Sequence, residues 1–224
     1  MILKKHEEME KQIERKMKLW WLMVVVVLLI VSLCCSGIET PEFTVVHSEP
    51  DFEIRRYGNS SWISTPLRSS SFENATHDGF HRLYQYIHGA NTNSTQLKKT
   101  APILTSVFPS VQGLSDFFVR FYVSKKFEGA PPRPVQGLNI QLAMWGSHCM
   151  AVRKFYGYAK DSTVSKEVEA LQSSLSTKLQ ITISSIGKNG FSVAQYNASF
   201  RLVGRLNEVW MNISGASLEG CPSN

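Results

Sequence analysis

Two runs set far apart in the chain share one pattern, and that repetition limits the folds open to it. EIRRYG at Glu53 to Gly58 and AVRKFYG at Ala151 to Gly157 each place an aliphatic residue, an arginine, a basic residue and an aromatic in series. A helical pattern follows each. In the first, Ser70 and Glu73 form a capping box, and Phe72, Thr76, Phe80, Leu83 and Ile87 recur at helical spacing. In the second, Val164, Val168, Leu171, Leu175 and Leu179 make one apolar stripe from a start near Asp161. Two strand-like runs follow each helix: ILTSVF with FFVRFYV, then FSVAQY with NEVWMNI. Alternation at Phe117, Val119, Phe121 and Val123, and at Val209, Met211 and Ile213, marks strands with one face on a core. WISTPL and LNIQLAMW complete the set. The expectation is an α+β fold, with an internally duplicated ββαββ motif forming a curved antiparallel eight-stranded sheet or barrel with two helices. GAPPRPVQG, at Gly129 to Gly137, joins the halves, because its prolines cannot extend either neighbouring strand.

The N-terminal residues follow another rule. No charge occurs from Leu19 to Ile38, and the preceding 18 residues carry six Lys or Arg against four Glu. This reads as a targeting segment, dividing the chain into a signal peptide or signal anchor at 1–37 and a folded domain at 38–220. Cleavage near Cys34, Ser36 and Gly37 is the favoured reading. A retained single-pass anchor is the alternative, touching the membrane only through 19–38. Both put the domain in the lumen or outside the cell. Five sequons, headed by Asn59, Asn74, Asn93, Asn197 and Asn212, agree with that setting, since ten Asn would give about two by chance. Asn212 lies inside a predicted strand, where burial would hinder modification. Outside the targeting segment only Cys149 and Cys221 remain. In an oxidising lumen they are expected to pair and pin the tail to a strand; the alternative is two free thiols with Cys149 buried.

The net charge of +6 includes +2 from residues 1–37, leaving +4 on the domain. No basic stripe interleaved with aromatics stands out, so a nucleic-acid partner is not expected. There is also no G-x-S-x-G elbow, P-loop, dinucleotide glycine motif or H-E-x-x-H.

Several runs point to one family. AQYNASF followed by GRLNEVW resembles the closing signature of the SOUL haem-binding proteins. ETPEFTVVHSEPDFEIRRYG, KKTAP at Lys98 to Pro102, APPRP at Ala130 to Pro134 and AVRKFYGYA at Ala151 to Ala159 follow the family's order. The resemblance implies haem or another porphyrin as a reversibly bound ligand, held in a groove walled by the first helix and the KKTAP loop. Two positions depart from the family pattern. Lys99 stands where a methionine is usual before T-A-P, and Arg56 where some animal relatives carry a histidine proposed as axial ligand.

On that helix His77, His81, Tyr84 and His88 fall at i, i+4, i+7 and i+11 and share a stripe bordering the apolar face that carries Phe80. A neutral imidazole can ligate haem iron, with His77 and His81 the candidate metal ligands, and Tyr84 can stack. Lys98, Lys99 or Arg133 can pair with propionates. A glycan on Asn74 would crowd this groove. His47 and His148 are expected outside it, as surface or strand-end residues. Tyr196, Asn197, Asn207, Glu208 and Trp210 read as packing and chain-reversal residues.

The function expected is non-enzymatic binding of a tetrapyrrole for transport, buffering or sequestration in the secretory pathway. An enzyme acting on such a molecule would need a carboxylate in the groove, for which Glu128 and Asp78 are the candidates. A third possibility is an interaction module whose pocket is vestigial; the sequence names no protein partner.

Overall fold

A computed structural model of the chain describes residues 13–25, 38–109, 113–181, 190–197, 201–213, 216 and 218–222. It divides into two units, 1–38 and 39–224. In the first, residues 13–25 are helical and exposed. Among the described residues no helix is long and apolar enough to cross a membrane, and residues 26–37 of the expected targeting segment lie outside them.

The second unit is α+β. Its strands are β1 (Phe43–Ser48), β2 (Glu53–Tyr57), β3 (Ser60–Ser69), β4 (Ile103–Pro109), β5 (Ser115–Tyr122), β6 (Gln141–Trp145), β7 (His148–Tyr156), β8 (Phe191–Gln195) and β9 (Leu206–Asn212). Helix α1 (Phe72–Ile87) lies between β3 and β4, and α2 (Asp161–Leu179) between β7 and β8. The strands form one antiparallel sheet, curled into a half-barrel, in the order β1-β2-β7-β9-β8-β4-β5-β3-β6. Nine strands replace the expected eight. The addition is β1, whose FTVVHS is exposed or half-buried throughout and so lacks a clean alternation.

Leaving β1 aside, exchanging β2–β5 for β6–β9 reverses the strand order. The similar runs EIRRY and VRKFY are not counterparts in that exchange. They belong to β2 and β7, which are hydrogen-bonded neighbours with Glu53 opposite Val152 and Ile54 opposite Ala151.

One face of the sheet carries the helices. Val164, Val168, Leu171 and Leu175 of α2 are buried against Ala151, Phe155, Val209 and Met211, as the stripe predicts. Helix α1 buries Phe72, Ala75, Gly79, Leu83, Tyr86 and Ile87, while Thr76 and Phe80 are only half-buried. Gly79 is what lets α1 approach β5, because a Cβ there would run into the Val119 side chain. The cap of α1 is Ser71 rather than Ser70; its hydroxyl accepts from the Asn74 N–H at 3.3 Å. Glu73, free of the expected capping box, accepts instead from the Asp161 N–H at 3.3 Å.

The opposite, concave face is also buried, which strand alternation alone does not announce. Tyr57, Trp62, Leu104, Tyr122, Met150, Val152, Ala194 and Trp210 form a second apolar cluster there. Cys149 and Cys221 form a disulfide that holds the C-terminal tail against β7. Asn59, Asn74, Asn93 and Asn212 are exposed, and Asn197 is half-buried. Asn212 ends β9 and is therefore open to solvent despite its place in a strand.

Candidate functional site

The α1 stripe exists as read. His77, His81, Tyr84 and His88 are all exposed along one side of the helix, Tyr84 to 39 %. The two candidate iron ligands meet each other, with Nε2 to Nε2 at 3.1 Å, and His77 Nδ1 lies 3.1 Å from the Asp78 carboxylate. A metal on either Nε2 must displace that imidazole contact. Tyr84 stacks on His88 at 3.9 Å between centroids, and the Lys99 ammonium lies 5.4 Å above the Tyr84 ring. Phe80, half-buried, contacts both Tyr84 and Phe121 and ties the strip to the core. The structure thus gathers three imidazoles, Tyr84, Phe80 and Lys99 into a strip of exposed rings. Lys98 is exposed in the following loop. Arg133 lines a separate cavity of about 380 Å³ beside Tyr86 and the Pro131–Pro134 segment. Among the described residues no group of three or more His, Cys, Asp or Glu is placed to hold a metal ion. Asp78 is exposed and occupied by His77, and Glu128 is exposed at a different cavity; neither carboxylate is buried in the way a tuned acid or base would be.

The closing signature builds the concave interior. Arg55 and Glu208, each 2 % exposed, form a bidentate ion pair at 3.0 and 3.2 Å. Glu208 also accepts from the Tyr196 hydroxyl at 2.7 Å and the Trp210 indole at 2.8 Å, while Arg55 reaches Glu53 at 2.7 Å. Burial and then the Glu208 charge hold the Tyr196 phenol above its ordinary range, so it remains a donor. Asn197 Oδ1 accepts from the Leu206 N–H at 2.7 Å, and Asn207 donates to the Gly157 carbonyl at 2.8 Å. Each signature residue therefore has an intramolecular partner, in keeping with packing and chain reversal.

A cavity of about 530 Å³ opens on the same concave face, and the sequence reading missed it. Arg120, Ser106, Ser192, Trp145, His148 and Trp210 are among its lining residues. His148 begins β7 and is a strand-end residue as expected, yet it is half-buried, stacked on Tyr57 and edge-on to Trp145. One signal was available: the arginine in FFVRFYV interrupts an otherwise apolar and aromatic run. His47, by contrast, pairs with Glu49 at 3.0 Å, well outside both sites.

The comparisons with known proteins identify the family. The family model described as SOUL heme-binding protein matches residues 38–212, and the chain belongs to that family. It is 28% identical to heme-binding protein 2 of Homo sapiens over 71% of this chain and 77% of that protein. It is 27% identical to heme-binding protein 1 of Xenopus laevis over 78% of this chain and 92% of that protein. Among solved structures, the EcmrR C-terminal domain shares 13% identity with a TM-score of 0.46, covering 72% of this chain and 95% of that one.

Proposed function

We propose that this protein binds haem or a related tetrapyrrole reversibly, without chemical conversion, as a carrier, buffer or sequestering agent in the secretory pathway. The observation that carries the site assignment is the exposed strip of rings on α1 beside Lys99. Tyr84, His88 and Phe80 would offer apolar ring surface to a porphyrin, Lys98 and Lys99 would pair with its propionates, and a helix imidazole would be free to ligate iron only once the His77–His81 contact opens. Exposure keeps each ion pair weak, on the order of 1 kcal/mol or less, which suits a ligand that must also leave.

The names of the relatives support haem as the ligand class. A lumenal setting draws on the uncharged segment at 19–38, the sequons and the Cys149–Cys221 disulfide, which suits an oxidising compartment. Titrating the protein with hemin is the direct test, repeated with His77, His81 and His88 each replaced by Ala. A Soret shift and tryptophan quenching at micromolar hemin, altered by at least one replacement, are expected. No spectral change at that concentration would sink the reading, and a response identical in all three variants would remove the strip as the site.

A further inference from the structure

The geometry points to a second binding site, for a planar aromatic carboxylate, in the concave cavity at Arg120. It goes beyond the tetrapyrrole reading and uses none of the α1 residues.

Arg120 is 8 % exposed and sits on the concave face of β5. Its Nη1 donates to the Ser106 hydroxyl at 2.5 Å and to the Phe118 carbonyl at 3.3 Å, and Ser106 in turn shares a hydrogen bond with Ser192 at 2.7 Å. All these partners are neutral. Arg120 Nε is closed off from solvent and has no hydrogen-bond partner among the described residues, and no carboxylate there pairs with this guanidinium. The segments of the domain outside the described residues, 110–112, 182–189, 198–200, 214–215, 217 and 223–224, contain no Asp or Glu. Arg55 shows the contrast, because the fold gives that buried guanidinium two carboxylates.

Burial alone lowers the Arg120 pKa, to about 10, so at neutral pH it still carries its charge. A buried cation without a counter-charge is costly, and an anion entering the cavity relieves that cost. The walls select the rest of the ligand. The guanidinium lies over Trp145 at 5.3 Å and Phe118 at 5.1 Å, and Trp210 and Met150 add apolar surface. At about 530 Å³ the cavity falls within the range of roughly 300–1,000 Å³ usual for small-molecule sites.

The second titratable residue at the cavity is His148. Its Nδ1 donates to the Gly146 carbonyl at 2.6 Å, which leaves Nε2 as an acceptor; that atom is shielded and unpartnered among the described residues. Burial lowers its basicity more than the Gly146 contact raises it. The site therefore offers one cation for a carboxylate and aromatic walls for a ring.

The test is fluorescence titration of the purified protein with 6-hydroxy-2-naphthoate and with its uncharged amide. Saturable binding of the acid is expected, at least tenfold tighter than the amide, and lost at least tenfold in Arg120→Met but retained in His81→Ala. Equal affinity for acid and amide, no saturation, or loss in His81→Ala would each overturn the site. So would undiminished binding by Arg120→Met. Should Arg120→Met not fold, the acid-to-amide ratio in the unaltered protein and the response of Ser106→Ala, expected to weaken the acid several-fold, decide the question.

Discussion

Asp161 and Glu73 cap each other's helices. The Asp161 carboxylate, at the start of α2, accepts from the Phe72 N–H at 2.7 Å and the Ser71 hydroxyl at 2.8 Å at the start of α1. Glu73 of α1 returns the bond by accepting from the Asp161 N–H at 3.3 Å. Both helix starts present unpaired N–H groups, and each carboxylate meets the other helix's need. The exchange fixes the two helix ends side by side on the sheet.

Replacing Asp161 with Ala should therefore weaken both helix starts and cost about 1–2 kcal/mol, a fall in Tm of roughly 2–8 °C for a domain of this size. Burial raises the Asp161 pKa, but hydrogen bonds from Phe72, Ser71 and Glu73 outweigh it, so the net value is below the ordinary 3.8. The folded state thus holds this proton less tightly than the unfolded chain. Its contribution is present above 3.8 and fades as the pH falls through the lower folded value. Thermal melts should show the gap between the protein and Asp161→Ala closing only in that acidic window.

Gly79→Ala tests the approach of α1 to β5. Helix propensity alone favours Ala by about 1 kcal/mol, but the added methyl runs into the Val119 side chain, and overpacking costs about 1–3 kcal/mol. Net destabilisation is expected in urea unfolding. Val119→Ala combined with Gly79→Ala should be more stable than the sum of the two single effects allows.

Glu208→Gln leaves Arg55 buried with Glu53 as its remaining acidic partner, and a loss of about 3 kcal/mol is expected. Replacing the pair together, Arg55→Met with Glu208→Leu, should restore much of the stability. Chemical denaturation of the three variants separates a buried charge from simple loss of packing.

Lys99→Glu should weaken hemin binding several-fold at low ionic strength, with the effect shrinking as salt is added, because the ammonium above Tyr84 is exposed. Arg133→Glu should matter less, since Arg133 lines a different cavity. Parallel hemin titrations at two salt concentrations distinguish them.

Particular residues show why some of this is legible in sequence and some is not. Val164, Val168, Leu171 and Leu175 repeat at helical spacing and face the sheet, and Phe117, Val119 and Phe121 alternate onto the helix side; single-element periodicity suffices for both. The three serines before α1 leave the cap ambiguous, and only the position of Asp161, supplied by the other helix, selects Ser71. Arg120, Ser106 and Ser192 occupy the alternate positions that a half-exposed sheet would turn to water. Curling the sheet closes those positions in, and curvature belongs to the assembled strands rather than to any one of them. The imidazole stripe was visible from spacing, but its exposure depended on how deeply Gly79 lets α1 sink.

The pairing of β2 with β7 also governs the order of events during synthesis. Glu53 lies opposite Val152, so β2 leaves the ribosome 99 residues ahead of the strand that completes its ladder. Until β7 arrives, Ile54 and the free edge of β2 have only β1 for company. Such an edge can recruit the β7 of another copy, and the two chains would then complete each other by strand exchange.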